Sequence, residues 1–132
     1  MKKTRLLHAD LSRLVATLGH GDMVLVTDAG MPAPHDEPVE VIDLALTPGI
    51  PGIASTIEVL LSEMQVESHI VASETLERGD AWFSALPLDV IGPRSVVTHQ
   101  ELKALSRRAR AVVRTGECTP YANVMLVSGV TF

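Results

Sequence analysis

Five polar side chains stand beside breaks in an otherwise aliphatic pattern: His20, Asp28, His99, Tyr121 and Asn123. Two imidazoles, a carboxylate, a phenol and an amide can together bind hydroxyl groups and pass protons between them. That is the equipment of general acid–base chemistry on a polar ligand, and it requires no metal, redox cofactor or covalent intermediate. In Thr115-Gly116-Glu117-Cys118-Thr119-Pro120-Tyr121-Ala122-Asn123 a Gly and a Pro bracket polar groups between two apolar segments, as in a loop presented by a rigid scaffold. Leu18-Gly19-His20-Gly21-Asp22 leads into the apolar run 23–27, which closes on Asp28-Ala29-Gly30. An imidazole and a carboxylate therefore stand at opposite ends of one short strand.

Each of these residues also has a plainer reading. His20 follows a helix stop, where the negative end of the helix favours a protonated imidazole, or where the ring simply caps carbonyls. Asp28 can form a turn, and His99 can be a solvated residue in a first helical turn. Tyr121 and Asn123 flank Ala122 and would point to one side if the segment is extended. An Asn-stabilised turn is the alternative. His8, His35 and His69 lack ligand spacing, and the set His20, Asp28, His35 and His99 has no pattern that supports a metal site. The single cysteine, Cys118, excludes an internal disulfide and has no basic neighbour in sequence to activate it.

The elements that must position these groups alternate between helix and strand. Asp10 is expected to cap a helix with apolar residues Leu11, Leu14, Val15 and Leu18, stopped by Gly19. Strands are expected over 23–27, 39–46, 66–73, 88–91, 111–114 and 124–127. A helix is expected over 53–64, and another over 74–86, weakened by Gly79. Thr98 and Glu101 form a capping box for a helix through Leu102, Leu105 and Ala109. Glycine fingerprints of phosphate loops are missing. The whole chain, 1–132, reads as one α/β domain with layered helices and strands.

Composition narrows the function. At 132 residues the chain has room for one core. Its residues are 46% hydrophobic but only 3% aromatic, and mean hydropathy is +0.25. The core must be aliphatic, and the surplus of apolar residues points to surface buried between copies. A net charge of −5 argues against a nucleic-acid groove, and Arg107, Arg108 and Arg110 fall at a helix end that cations complement. No run reaches the length of a spanning helix and the N-terminus lacks a signal-peptide core, so no membrane and a cytoplasmic location are the expectation.

Taken together, the blocks Leu18-Gly19-His20-Gly21-Asp22, Asp28-Ala29-Gly30-Met31-Pro32, Ile42-Asp43-Leu44-Ala45-Leu46-Thr47, Glu63-Met64-Gln65-Val66-Glu67, Thr98-His99 and 114–132 resemble the ribose pyranase and fucose mutarotase family. The resemblance implies an enzyme that opens and recloses a sugar ring, interconverting the pyranose and furanose forms of β-D-ribose. His20 then falls on the proton donor, and Asp28, His99, Tyr121, Ala122 and Asn123 on substrate-binding positions. It also implies pentameric rings paired as decamers, with sites at subunit contacts and no cofactor. Fucose-type members tend to carry Ala-His where this chain has Ala29-Gly30, and Tyr-Gly-Asn where it has Tyr121-Ala122-Asn123, which favours ribose over fucose. A non-catalytic sugar-binding subunit is the remaining alternative, and it has no need of His20. Residues 74–95 and the acidic stretch 36–40 depart from the family pattern.

Overall fold

A computed structural model describes residues 1–132 as six strands and five helices. In chain order these are α1 (Ala9–Thr17), β1 (Met23–Thr27), β2 (Glu40–Asp43), α2 (Ile53–Leu61), β3 (Val66–Ala72), a helix broken into α3 (Ser73–Arg78) and α4 (Ala81–Ser84), β4 (Arg94–Val97), α5 (His99–Ser106), β5 (Ala111–Arg114) and β6 (Val124–Ser128). The strands form one mixed sheet in the order β2-β5-β1-β6-β3-β4. Strand β6 runs antiparallel to both neighbours, β1 and β3, while β1–β5, β2–β5 and β3–β4 are parallel.

Strands β1, β5 and β6 are apolar up to their last residues, Thr27, Arg114 and Ser128, because both faces of the sheet are covered. Val24 and Val26 pack with Leu11 and Leu14 of α1 and Ile53, Ile57 and Leu60 of α2. Leu25, between them, points into a second cluster with Val112, Met125, Ala72 and Leu102 of α5. The α/β class agrees with the alternation read from the sequence.

Several boundaries differ. His8, rather than Asp10, caps α1: its Nδ1 accepts from the Leu11 N–H at 3.4 Å, leaving Asp10 in the first turn. Strand β2 is shorter than expected because the Asp43 carboxylate accepts from the Ala45 N–H and turns the chain. The helix expected over 74–86 divides at Gly79, whose φ of 63° is left-handed. Helix α5 keeps the Thr98–Glu101 capping box but stops at Ser106, short of Ala109.

The largest correction concerns residues 88–91, which are not a strand. The carbonyl of Pro87 accepts from the N–H groups of Val90 and Ile91, making a turn, and Ile91 is buried from that turn. The strand comes after Pro93, on the polar outer edge of the sheet. Gly92 joins the two with φ 71°, and a Cβ there would overlap the Glu67 carbonyl. Gly92→Ala is therefore expected to destabilise the fold by about 1–3 kcal/mol, read from chemical unfolding. An unaltered midpoint would refute this account of the β3–β4 edge.

Candidate active site

The register collects loops at one edge of the sheet. Val26 pairs with Val124 and Val71 also pairs with Val124, while Ala72 lies beside Val97 and Thr27 beside Arg114. The residues just after β1, β3, β4 and β5 therefore meet those just before β6. A cleft outside the carboxyl ends of parallel strands is the usual ligand position in open α/β sheets. A pocket of about 440 Å³ opens there, lined by Asp28, Gly30, His99, Lys103, Glu117 and Tyr121 among others.

Asp28 is held from two sides. Its Oδ1 accepts from the Gly30 N–H at 2.8 Å and its Oδ2 from Asn123 Nδ2 at 3.1 Å. Asn123 Oδ1 in turn accepts from the Asp28 N–H at 3.1 Å. Asn123 is fully buried and serves Asp28, whereas Tyr121 is 39% exposed on the pocket wall. The expectation that these two side chains point the same way fails because Tyr121 takes φ 60°, which breaks the extended alternation. Ala122 is also fully buried, in the main core, so its methyl acts on the loop's shape.

His99 opens α5 and meets Tyr121 edge to face, with ring centroids 4.9 Å apart at 84°. Its Nδ1 is buried without a protein partner. Burial, then the Lys103 ammonium, hold its pKa below the ordinary histidine value, against the opposing pull of Glu74 and Asp28. The ring is thus kept neutral at neutral pH, able to accept a hydroxyl proton. Lys103 was not singled out in the sequence, although it lies at i+4 from His99 on a capped helix and so shares its face.

Glu117 ties the loop down. Burial opposes its charge, but the Thr119 hydroxyl and the N–H groups of Ile53, Thr119 and Cys118 outweigh this and lower its pKa. The carboxylate accepts from Thr119 Oγ1 at 2.8 Å and from the Ile53 N–H at 3.2 Å, at the start of α2, where Gly52 offers no side-chain cap. The structure gathers no group of three His, Cys, Asp or Glu side chains arranged to hold a metal ion.

His20 lies elsewhere. It precedes β1, at the edge where β6 ends and β3 begins, as the Gly21 N–H to Ser128 carbonyl bond shows. The six residue steps from Asp22 to Asp28 correspond to about 20 Å along a strand. Within one chain His20 therefore does not join Asp28, His99 and Tyr121. Its partner is Glu67, whose Oε2 lies 2.8 Å from Nε2, rather than the end of α1. This contact across 47 residues has no local sequence signal.

Comparison with known proteins gives a consistent outcome. The family model described as the RbsD / FucU transport protein family matches residues 1–131. The chain is 56% identical to a D-ribose pyranase of Paracidovorax citrulli (strain AAC00-1) and 54% identical to one of Pseudomonas fluorescens (strain Pf0-1), each over the full length of both proteins. Among solved structures, Bacillus subtilis RbsD complexed with D-ribose superposes with a TM-score of 0.89 at 40% identity, covering all of both chains. A fucose mutarotase from Streptococcus pneumoniae in complex with L-fucose shares the fold, with a TM-score of 0.75 at 20% identity over all of both chains.

The environment of His99 generates a titration test. Its NMR midpoint is expected below the ordinary value of about 6.5. Lys103→Met should raise it, because one of the two influences that disfavour the imidazolium is removed. The folded state gains from the neutral ring at pH above that ordinary value. This contribution is lost as pH falls toward the lowered midpoint, since the unfolded chain takes up the proton first. A midpoint at or above 6.5 in the wild type would contradict the assignment.

Proposed function

We propose that this chain, which belongs to the RbsD / FucU transport protein family, interconverts the pyranose and furanose forms of β-D-ribose. The observation that carries this reading is the meeting of Asp28, His99, Lys103 and Tyr121 around a pocket of monosaccharide size, in a chain related end to end to ribose pyranases. The chemistry balances with proton transfers alone. The C1 hydroxyl of the pyranose loses its proton, the C1–O5 bond breaks and O5 takes a proton, giving the open-chain aldehyde. O4 then attacks C1, losing its proton as the carbonyl oxygen gains one, and the furanose results.

In this reading His20 is the proton donor to the departing ring oxygen. Glu67 accepts from Nε2–H and leaves Nδ1 to exchange a proton with the sugar. Asp28, His99 and the stretch Tyr121, Ala122 and Asn123 form the binding side. Asn123 acts by holding Asp28, and neutral His99 offers its unpartnered Nδ1 to a hydroxyl.

The separation of His20 from the pocket is accounted for by a site shared between copies, His20 of one subunit facing the pocket of the next. Exposed Leu46, Ile50 and Phe132 supply apolar surface for such contacts, at 81%, 55% and 103% relative exposure. Pentameric rings paired as decamers and a cytoplasmic location belong to the same proposal. No helix is long and apolar enough to cross a membrane. Ribose is preferred over fucose because Gly30 leaves open the space beside Asp28 that an imidazole would fill; a Cβ there would sit 3.5 Å from Asp28 Oδ1.

Exchange NMR between ribose ring forms tests the reading. The wild type should accelerate exchange, and His20→Ala should abolish the acceleration while the protein stays folded. Faster exchange of fucose anomers than of ribose forms would move the protein to the mutarotase branch. Co-expressed His20→Ala and Asp28→Asn chains, each inactive alone, should regain about a quarter of wild-type activity if sites are shared. No recovery would place each site within one chain.

A further inference from the structure

We propose that Glu74 and Thr75, neighbours in the first turn of α3, are positioning residues that fix the Tyr121–His99 pair against a bound sugar. This rests on the ribose reading above and assigns a role to the segment in which the sequence departs from its family.

The topology supplies the reason. Strand β3 lies between β6 and β4, so the residues that follow Ala72 emerge between the loop entering β6 and the turn entering α5. From there α3 reaches both. The Thr75 hydroxyl donates to the Tyr121 carbonyl at 2.6 Å, and Thr75 is only 3% exposed, so water does not compete. On the other side Glu74 Oε2 accepts from the His99 N–H at 2.8 Å, and the Ser73 hydroxyl at 3.2 Å steadies that carboxylate. Two consecutive side chains thus hold the backbones of the two residues whose rings meet edge to face.

Tyr121 is the residue that needs holding. It is the only non-glycine residue with positive φ, a conformation that side chains other than Gly, Asn and Asp adopt at a cost. A buried hydroxyl on its carbonyl fixes the peptide orientation that goes with that conformation. Without it the loop is free to relax, and the ring leaves the pocket wall. Glu74 adds an electrostatic part: its carboxylate, held ionised chiefly by backbone hydrogen bonding, pulls the His99 pKa upward against burial and Lys103.

Tyr121 is the sole tyrosine, so selective ¹³C labelling of tyrosine yields ring signals that belong to it alone. Thr75→Val keeps the side-chain shape and removes the hydroxyl; Thr75→Ser retains it. Thr75→Val is expected to shift the tyrosine signals, weaken their nuclear Overhauser contact with His99 and raise half-saturation by ribose about fivefold. The saturated exchange rate should change less, and Thr75→Ser should restore the wild-type pattern. Glu74→Gln keeps an acceptor oxygen but removes the charge, so the His99 titration should move to lower pH. Unmoved tyrosine signals and half-saturation in a folded Thr75→Val protein would overturn the proposal. Should that variant fail to fold, Glu74→Gln decides: a lowered His99 midpoint supports the proposal and an unmoved one overturns it. The ring signals and the titration do not depend on turnover. A wild type without ribose activity would therefore sink the functional reading and leave the positioning inference to be judged on spectra.

Discussion

The hydrogen bonds exchanged by Asp28 and Asn123 fasten the end of β1 to the start of β6, and the functional edge depends on them. Both partners are buried, so each bond is made in a medium where an unpaired group would be costly. The Asn123 amide gives its oxygen to the Asp28 backbone and its nitrogen to the Asp28 carboxylate. With Gly30 holding the other carboxylate oxygen, Asp28 has little freedom to turn. The same link fixes where the loop before β6 must end, and so where Tyr121 must stand.

Most of the scaffold was legible because its signals are local. The capping box at Thr98 and Glu101, the apolar runs of β1, β5 and β6, and the helical spacing of α2 depend on neighbours in sequence. Strand β4 was not legible: it is an exposed edge strand whose pairing uses backbone groups and whose side chains carry no alternation. Residues 88–91 misled in the opposite sense, since Ile91 is apolar for the sake of a buried turn. At the site, residue types were readable and directions were not. The inward turn of Asn123 follows from the left-handed backbone at Tyr121, and that backbone is sustained by a contact with Thr75 across 46 residues.

The candidate site divides its labour between rigid and charged parts. Thr115, Glu117 and Thr119 knot the loop to β1 and α2, with the Thr115 hydroxyl bonded to the Thr27 carbonyl at 2.7 Å. Lys103, Glu74 and Asp28 act on His99 through space, in opposing directions. A neutral imidazole beside a fixed carboxylate and a cation suits a ligand that must gain and lose protons without net charge.

Strand β1 has His20 three residues before its start and Asp28 just after its last residue, and it lies inside the sheet with β5 on one side and β6 on the other. Local opening of a fold begins where backbone bonds face water, here at the outer strands β2 and β4. Such fraying can come and go while β1 remains paired and covered on both faces. The span between His20 and the Asp28 carboxylate is therefore a length written into a strand that is paired on both edges and covered on both faces. An insertion or deletion of one residue in β1 would reverse its buried faces and also change the spacing of His20 and Asp28 along the strand.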